Sequence, residues 1–96
     1  MSQLVNKALA EFLGTFFFIG VILAYGANEF IGPVAIAAGL LAAVLMFGKV
    51  SGSFVNPAIT LVMWMKGKLD ASTAVVYVLA QLIGGLVALL WYTKFA

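Results

Sequence analysis

The chain has 96 residues, of which 66% are hydrophobic and 8% are charged, and its formal net charge is +2. A soluble domain has about 25% charged residues, so this composition argues against a soluble fold, a nucleic-acid binder and a disordered chain, and favours a protein embedded in the lipid bilayer. The sequence contains no Cys, His or Arg, so disulfides, most zinc sites and the usual nucleophilic triads are ruled out, and we expect no enzymatic activity, metal or cofactor.

The first apolar segment, residues 8–27, contains one charged side chain, that of Glu11. A helix rises about 1.5 Å per residue, so a segment of this length crosses the hydrocarbon core of about 30 Å. Turn-forming residues follow, ending in Gly32 and Pro33, and they close the helix. The segment predicts a first transmembrane helix.

Two more long apolar segments lie at residues 33–48 and 71–92. The earlier one is rich in Ala and Gly, a composition typical of a helix that packs closely on its neighbours in a membrane. The later one carries Gln81 near its middle and an aromatic pair, Trp91 and Tyr92, at its end, which is typical of a membrane interface. Both predict transmembrane helices.

The segment between them, residues 49–66, is of another kind. Asn56 suits the N-cap of a helix and Pro57 suits its first position. The apolar stretch that follows spans only about 14 Å, half of the hydrocarbon thickness. We interpret it as a re-entrant loop and half-helix that dips to the midplane, which requires burial in protein or a wet cavity. An amphipathic helix on the membrane surface is the alternative, although the stretch has almost no polar face.

Three motifs then resemble one family. Residues 48–61 (GKVSGSFVNPAITL) resemble the first signature loop of the aquaporin and glycerol-channel family, the major intrinsic proteins. Residues 10–16 (AEFLGTF) are similar to its first-helix motif, and residues 80–85 (AQLIGG) to its third-helix motif. The motifs occur in the family's order, each on the element predicted for it.

The resemblance implies an all-α membrane protein, with residues 1–96 forming a single repeat of three spanning helices and one half-helix. Family members carry two such repeats in inverted orientation, with the half-helix tips meeting at the midplane. By this resemblance Asn56, Pro57 and Ala58 form the middle of a pore. There the positive helix end repels cations and the Asn amide donates to a neutral solute. Carbonyl groups of the loop are the expected acceptors, from Gly52, Ser53, Phe54 and Val55.

Two polar residues inside the helices have an implied role in this loop. By resemblance Glu11 and Gln81 brace it by accepting its backbone N–H bonds. A carboxylate within a membrane helix also suits proton coupling, as in small multidrug transporters of similar length, so Glu11 has a second possible role.

Three positions bear on selectivity and the pore mouth. Ile59 follows the Asn-Pro-Ala motif, as expected for a first repeat, whereas the family's second repeat has Arg there. Ile36 falls where an aromatic residue is common in the family. A pore made of copies of this chain would therefore have an aliphatic constriction, open to small neutral solutes beyond water. Lys49 stands where the family often has His, at the expected pore mouth, although an interfacial anchor is the alternative role.

One repeat requires a partner to enclose a pore. We expect an antiparallel homodimer with its tips meeting, and four such pores in a larger assembly. A separately encoded second half and a non-conducting fragment are the alternatives. The lysines argue against the homodimer, because they favour a single orientation of a cell (inner) membrane protein, with the N-terminus in the cytoplasm. Lys94 lies on one expected side, and the other four lysines lie on the opposite side: Lys7, Lys49, Lys66 and Lys68. The expected partners are the bilayer, water or a small neutral solute such as glycerol, and no nucleic acid.

Overall fold

The computed structural model describes residues 2–95, and these residues form four helices. The helices are α1 (Gln3–Tyr25), α2 (Ile31–Ser51), α3 (Pro57–Met65) and α4 (Ala71–Phe95). Helices α1, α2 and α4 are each long and apolar enough to cross a membrane. The all-helical membrane fold expected from the sequence is confirmed.

Helix α1 begins at Gln3, five residues before the predicted start, because Ser2 caps it. The Ser2 hydroxyl oxygen accepts a hydrogen bond from the Val5 N–H at 3.2 Å. Hydrophobicity alone places the start at the first apolar run, whereas the cap extends the helix through polar residues such as Asn6. The helix ends at Tyr25, two residues earlier than predicted.

Helix α2 is longer than predicted at both ends. At its start the Asn28 side-chain oxygen accepts hydrogen bonds from the N–H groups of Phe30 and Ile31, so Pro33 lies inside the first turn, where it is tolerated. At its end the helix continues to Ser51, and Gly52 caps it with a left-handed φ of 91°. The interpretation of residues 49–51 as loop is therefore wrong.

Helix α4 begins at Ala71, as predicted, and continues to Phe95, three residues beyond the predicted end. The Asp70 carboxylate accepts hydrogen bonds from the Thr73 N–H at 2.8 Å and from the Ser72 hydroxyl at 3.2 Å. Hydrogen bonds from Thr73 and Ser72 lower the pKa of Asp70 from its ordinary value of 3.8. This cap marks the boundary between the polar turn and the apolar helix.

The first helix packs against both α2 and α4. The approach of α1 to α4 depends on Gly84, because a Cβ atom there would lie 2.6 Å from the backbone oxygen of Phe12. Small residues at helix crossings are typical of membrane proteins, where close backbone contact replaces the hydrophobic effect. Large apolar side chains face outward, as at Leu45 and Leu90, and this surface suits a lipid environment.

Helix α3 re-enters the bundle beside α4. Near its start, Thr60 hydrogen-bonds to Gln81 in the middle of α4, and near its end Trp64 shares an apolar pocket with Ala71, where α4 begins. The half-helix therefore runs antiparallel to α4, from its midpoint back to its first turn. This course differs from that of a helix lying on the membrane surface.

Candidate functional site

Glu11 is the centre of a buried polar cluster. Its side chain has no exposed surface. One carboxylate oxygen, Oε2, accepts hydrogen bonds from the Ser51 hydroxyl at 2.6 Å and the Phe54 N–H at 3.1 Å. The other, Oε1, accepts from the Val55 N–H at 2.9 Å and the Gln81 amide at 2.8 Å. All four partners donate, so the cluster fits the carboxylate, a group that accepts only. Full hydrogen bonding is what allows a charge to remain buried.

The loop before α3 has an unusual backbone. Besides Gly52, Ser53 and Val55 have positive φ angles of 51° and 45°, a region that costs a side-chain-bearing residue about 1–2 kcal/mol. The Ser53 N–H donates to the Ser51 hydroxyl oxygen at 3.1 Å. With the bonds to Glu11, three consecutive N–H groups thus have side-chain acceptors inside the bundle. Within residues 2–95 the carbonyls of residues 52–55 accept no hydrogen bond.

The tip of the half-helix is formed by Asn56, Pro57 and Ala58, and all three are exposed. The Asn56 side-chain oxygen accepts a hydrogen bond from the Ala58 N–H at 2.7 Å. This bond fixes the orientation of the amide, because its oxygen faces the helix and its NH₂ group is left to donate outward. Pro57 lacks the N–H that would otherwise be unpaired at the first position.

Gln81 stabilises the site in a different way from the one expected. We expected it to accept backbone N–H bonds, but its NH₂ group instead donates to Glu11 and to the Thr60 hydroxyl, the latter at 2.7 Å. The Thr60 hydroxyl in turn donates to the Asn56 carbonyl at 3.0 Å. The physical reason is that the loop N–H groups already donate to Glu11. Gln81 contacts the same carboxylate, which can only accept, so Gln81 must turn its NH₂ group toward it.

Sequence reasoning missed three residues of this cluster: Ser51, Thr60 and Tyr77. The Tyr77 side chain is 1% exposed, and its hydroxyl donates to the Ser51 carbonyl at 2.7 Å. Two signals were available. Thr60 is the only hydroxyl side chain in α3, and Tyr77 lies one turn before Gln81 on the same face of α4.

A groove of about 590 Å³ lies beside the tip, between α1 and α4. Asn56 and Pro57 form part of its wall, and Thr15 and Gln81 lie deeper. Side-chain oxygens of both deeper residues, Thr15 Oγ1 and Gln81 Oε1, are buried and have no hydrogen-bond partner within residues 2–95. Buried polar atoms normally find partners, so these two oxygens are unpaired acceptors that lie beneath the surface of the groove.

The remaining predicted positions lie away from this groove. Ile36 lies about 22 Å along α2 from Ser51, since it is 15 residues earlier in the helix. Ile59 is 40% exposed on α3, and neither isoleucine lines the groove. Lys49 is exposed in the last turn of α2 and lines a separate polar pocket.

A family model described as Major intrinsic protein matches residues 1–95. The chain belongs to the major intrinsic protein family. Within this family it is 40% identical over 88 residues to the Glycerol uptake facilitator protein-like 6 of Lactiplantibacillus plantarum. It is 33% identical over 96 residues to the Aquaporin Z of Photorhabdus laumondii, and 27% identical over 110 residues to the Aquaporin AqpM of Methanothermobacter thermautotrophicus.

Each of these matches covers 88% of the chain, but only 41–45% of the relative. The chain therefore spans about two fifths of the length of these major intrinsic proteins. The resemblance expected from the three sequence motifs is confirmed, and so is its restriction to part of the family's length.

Proposed function

We propose that the chain is one half of a passive membrane channel for water and small neutral solutes such as glycerol. The observation that carries this proposal is the exposed tip of α3 beside the middle of the bundle. There the Asn56 amide is free to donate and the loop carbonyls are free to accept. A neutral solute exchanges its hydration for these groups, whereas the positive end of α3 disfavours cations.

The state of Glu11 supports a channel over a proton-coupled transporter. A coupling carboxylate must be reached by a proton and by the substrate, but Glu11 is fully buried and each of its oxygens accepts two hydrogen bonds. Passive flow through such a pore requires no energy source, cofactor or catalytic group.

A second half is needed to enclose the pore, and an inverted second copy of this chain is our proposal for it. The groove beside the tip supports this, because its largely apolar wall leaves the exposed Asn56 and Pro57 uncovered. In such a dimer Ile36 of one copy and Ile59 of the other would narrow the pore. Without Arg in the constriction, passage extends beyond water to other small neutral solutes.

The decisive experiment is stopped-flow light scattering of liposomes that contain only this chain, challenged with sucrose and then with glycerol. The proposal expects water and glycerol permeabilities above those of empty liposomes. Folded, inserted protein without added permeability would refute the self-completed pore.

Asn56→Asp tests the tip itself. The change removes the amide donor and adds a negative charge, so we expect slower water flow and a new leak of cations. Asn28→Asp is the matched control, because it makes the same chemical change at an exposed helix cap and should leave both fluxes unaltered. Equal permeabilities in the two variants would contradict the assignment of Asn56 to the pore.

Orientation in the cell distinguishes the two sources of the second half. Four of the five lysines lie toward the end of the bundle at which α1 begins and α3 ends, which favours an inner-membrane protein with a cytoplasmic N-terminus. An inverted homodimer requires both orientations, which this distribution of lysines argues against. Labelling of tags at each terminus in intact cells should therefore find both, and a single orientation would instead support a separately encoded second half.

A further inference from the structure

A second polar pocket lies at the end of the bundle where α1 begins and α2 ends. It has a volume of about 270 Å³ and is lined by Gln3, Asn6, Lys7, Lys49 and Val50. It is distinct from the groove beside the tip, with which it shares no residue. Two helices therefore bring together two ammonium groups and two amides.

We propose that this pocket binds a phosphate group, supplied in the membrane by the head group of an anionic phospholipid. Lys7 and Lys49 provide positive charge from adjacent helices, and no carboxylate lines the pocket. The side chains of Gln3 and Asn6 make no hydrogen bond within residues 2–95, so their NH₂ groups are free to donate to phosphate oxygens. Charge and directional donors are both present, as an anion site requires.

The surroundings of the pocket fit a lipid better than a free ion. Val50 forms part of the pocket wall and is 45% exposed, and Met46, one turn deeper in the same helix, is 52% exposed. An acyl chain attached to a bound head group would run along this apolar surface. Basic pockets between membrane helices at a lysine-rich end are the usual place for such head groups.

Asp70 is the acidic group that competes for Lys7. The charge of Lys7 contributes to the lowered pKa of Asp70, after the larger contributions from hydrogen bonds of Thr73 and Ser72. Asp70 does not line the pocket, and its carboxylate is already held by the first turn of α4. Lys7 is therefore only partly neutralised, and Lys49 faces the pocket from the opposite helix.

The test measures binding by the rise in melting temperature of the purified chain in a neutral detergent. Phosphatidylglycerol, phosphatidylcholine and inorganic phosphate are titrated separately at constant ionic strength. A hydrogen bond between a lysine ammonium and a phosphate oxygen contributes about tenfold to an affinity. The double variant Lys7→Gln, Lys49→Gln should therefore weaken phosphatidylglycerol binding roughly hundredfold.

The matched control is the double variant Lys66→Gln, Lys68→Gln, which removes the same charge from the same end of the bundle but outside the pocket. In a neutral detergent no anionic surface attracts these two lysines and salt screens distant charges, so this variant should bind phosphatidylglycerol within about threefold of the unmodified chain. Equal weakening in both double variants would reduce the effect to diffuse attraction and overturn the proposal, and so would equal stabilisation by phosphatidylcholine.

Two further arms keep the result unambiguous. If the glutamine variant of the pocket fails to fold, the double variant Lys7→Arg, Lys49→Arg takes its place, because it retains both charges and should retain phosphatidylglycerol binding. Loss of that binding in folded arginine variant would overturn the proposal. Stabilisation by inorganic phosphate that is equally sensitive to the pocket lysines would support the phosphate site but assign it to a free anion. None of these measurements depends on conduction, so the pocket and the proposed channel succeed or fail separately.

Discussion

Replacing Glu11 with Gln is expected to destabilise the protein by a predictable amount, because each of the two carboxylate oxygens accepts two hydrogen bonds. Wherever the new NH₂ group lies, it faces at least one backbone N–H. The less costly arrangement places it at the Oε2 position, where the Ser51 hydroxyl can rotate to accept. The Phe54 N–H cannot rotate, and it is left without an acceptor.

The magnitude follows from that orphaned donor. An unsatisfied buried donor costs about 1–3 kcal/mol, so Glu11→Gln should lower the free energy of unfolding by about this amount. Glu11→Ala leaves the N–H groups of both Phe54 and Val55 without acceptors, so the expected loss is about 2–6 kcal/mol. The second variant should therefore be about twice as damaging as the first.

Equilibrium unfolding of the purified chain in mixed micelles, followed by circular dichroism, measures these differences. Glu29→Gln is the control, because Glu29 is exposed in the turn between α1 and α2 and its replacement should change stability by less than about 0.5 kcal/mol. If Glu11→Gln matched this control, the carboxylate would not be holding the loop, and the description of the cluster would be refuted.

Three further predictions concern packing, backbone strain and pH. Gly84→Ala should cost about 1–3 kcal/mol because the new Cβ meets the Phe12 carbonyl, whereas Gly85→Ala, whose Cβ finds only an ordinary contact at 3.8 Å, should be nearly neutral in the same unfolding assay. Ser53→Gly should stabilise the fold by about 1 kcal/mol, because it relieves a left-handed φ and removes an unpaired buried hydroxyl. A lower midpoint of the unfolding transition in this variant would contradict this prediction. Asp70→Ala should lower stability at pH 7, where the depressed pKa favours the folded state. This contribution is lost as the pH falls below 3.8 and through the lowered pKa of Asp70. The melting temperatures of the variant and the unmodified chain should therefore converge at low pH. A difference in melting temperature that stays constant with pH would contradict the assigned cause.

The sequence predicted the elements whose causes are local. Helix α3 is foreseeable because Asn56 and Pro57 are a start signal and the apolar stretch after them is too short to span. The error at residues 49–51 has a local explanation too, since Ser and Gly favour loops, whereas here Gly52 acts as a left-handed cap one turn later than expected.

The buried cluster was less accessible to sequence reasoning because its contacts are distant in the chain. Gln81 and Glu11 are 70 residues apart, and Tyr77 and Ser51 are 26 apart. The resemblance indicated Glu11 and Gln81, but only the arrangement of donors shows which of them accepts. The positive φ of Val55 contradicts the preference of a β-branched residue, and the hydrogen bond from its N–H to Glu11 helps to hold it.

The position of α3 has a consequence for biosynthesis. Among the helices of residues 2–95, α3 packs against α4, which leaves the ribosome after it. At about 5–20 residues per second, the roughly 30 residues between Met65 and the end of α4 take about 2–6 seconds to appear. During that time α1 and α2 can pair, and Glu11 can already meet the loop, but the half-helix has no surface to pack on. The arrival of α4 is therefore the event that commits this short helix to the membrane interior.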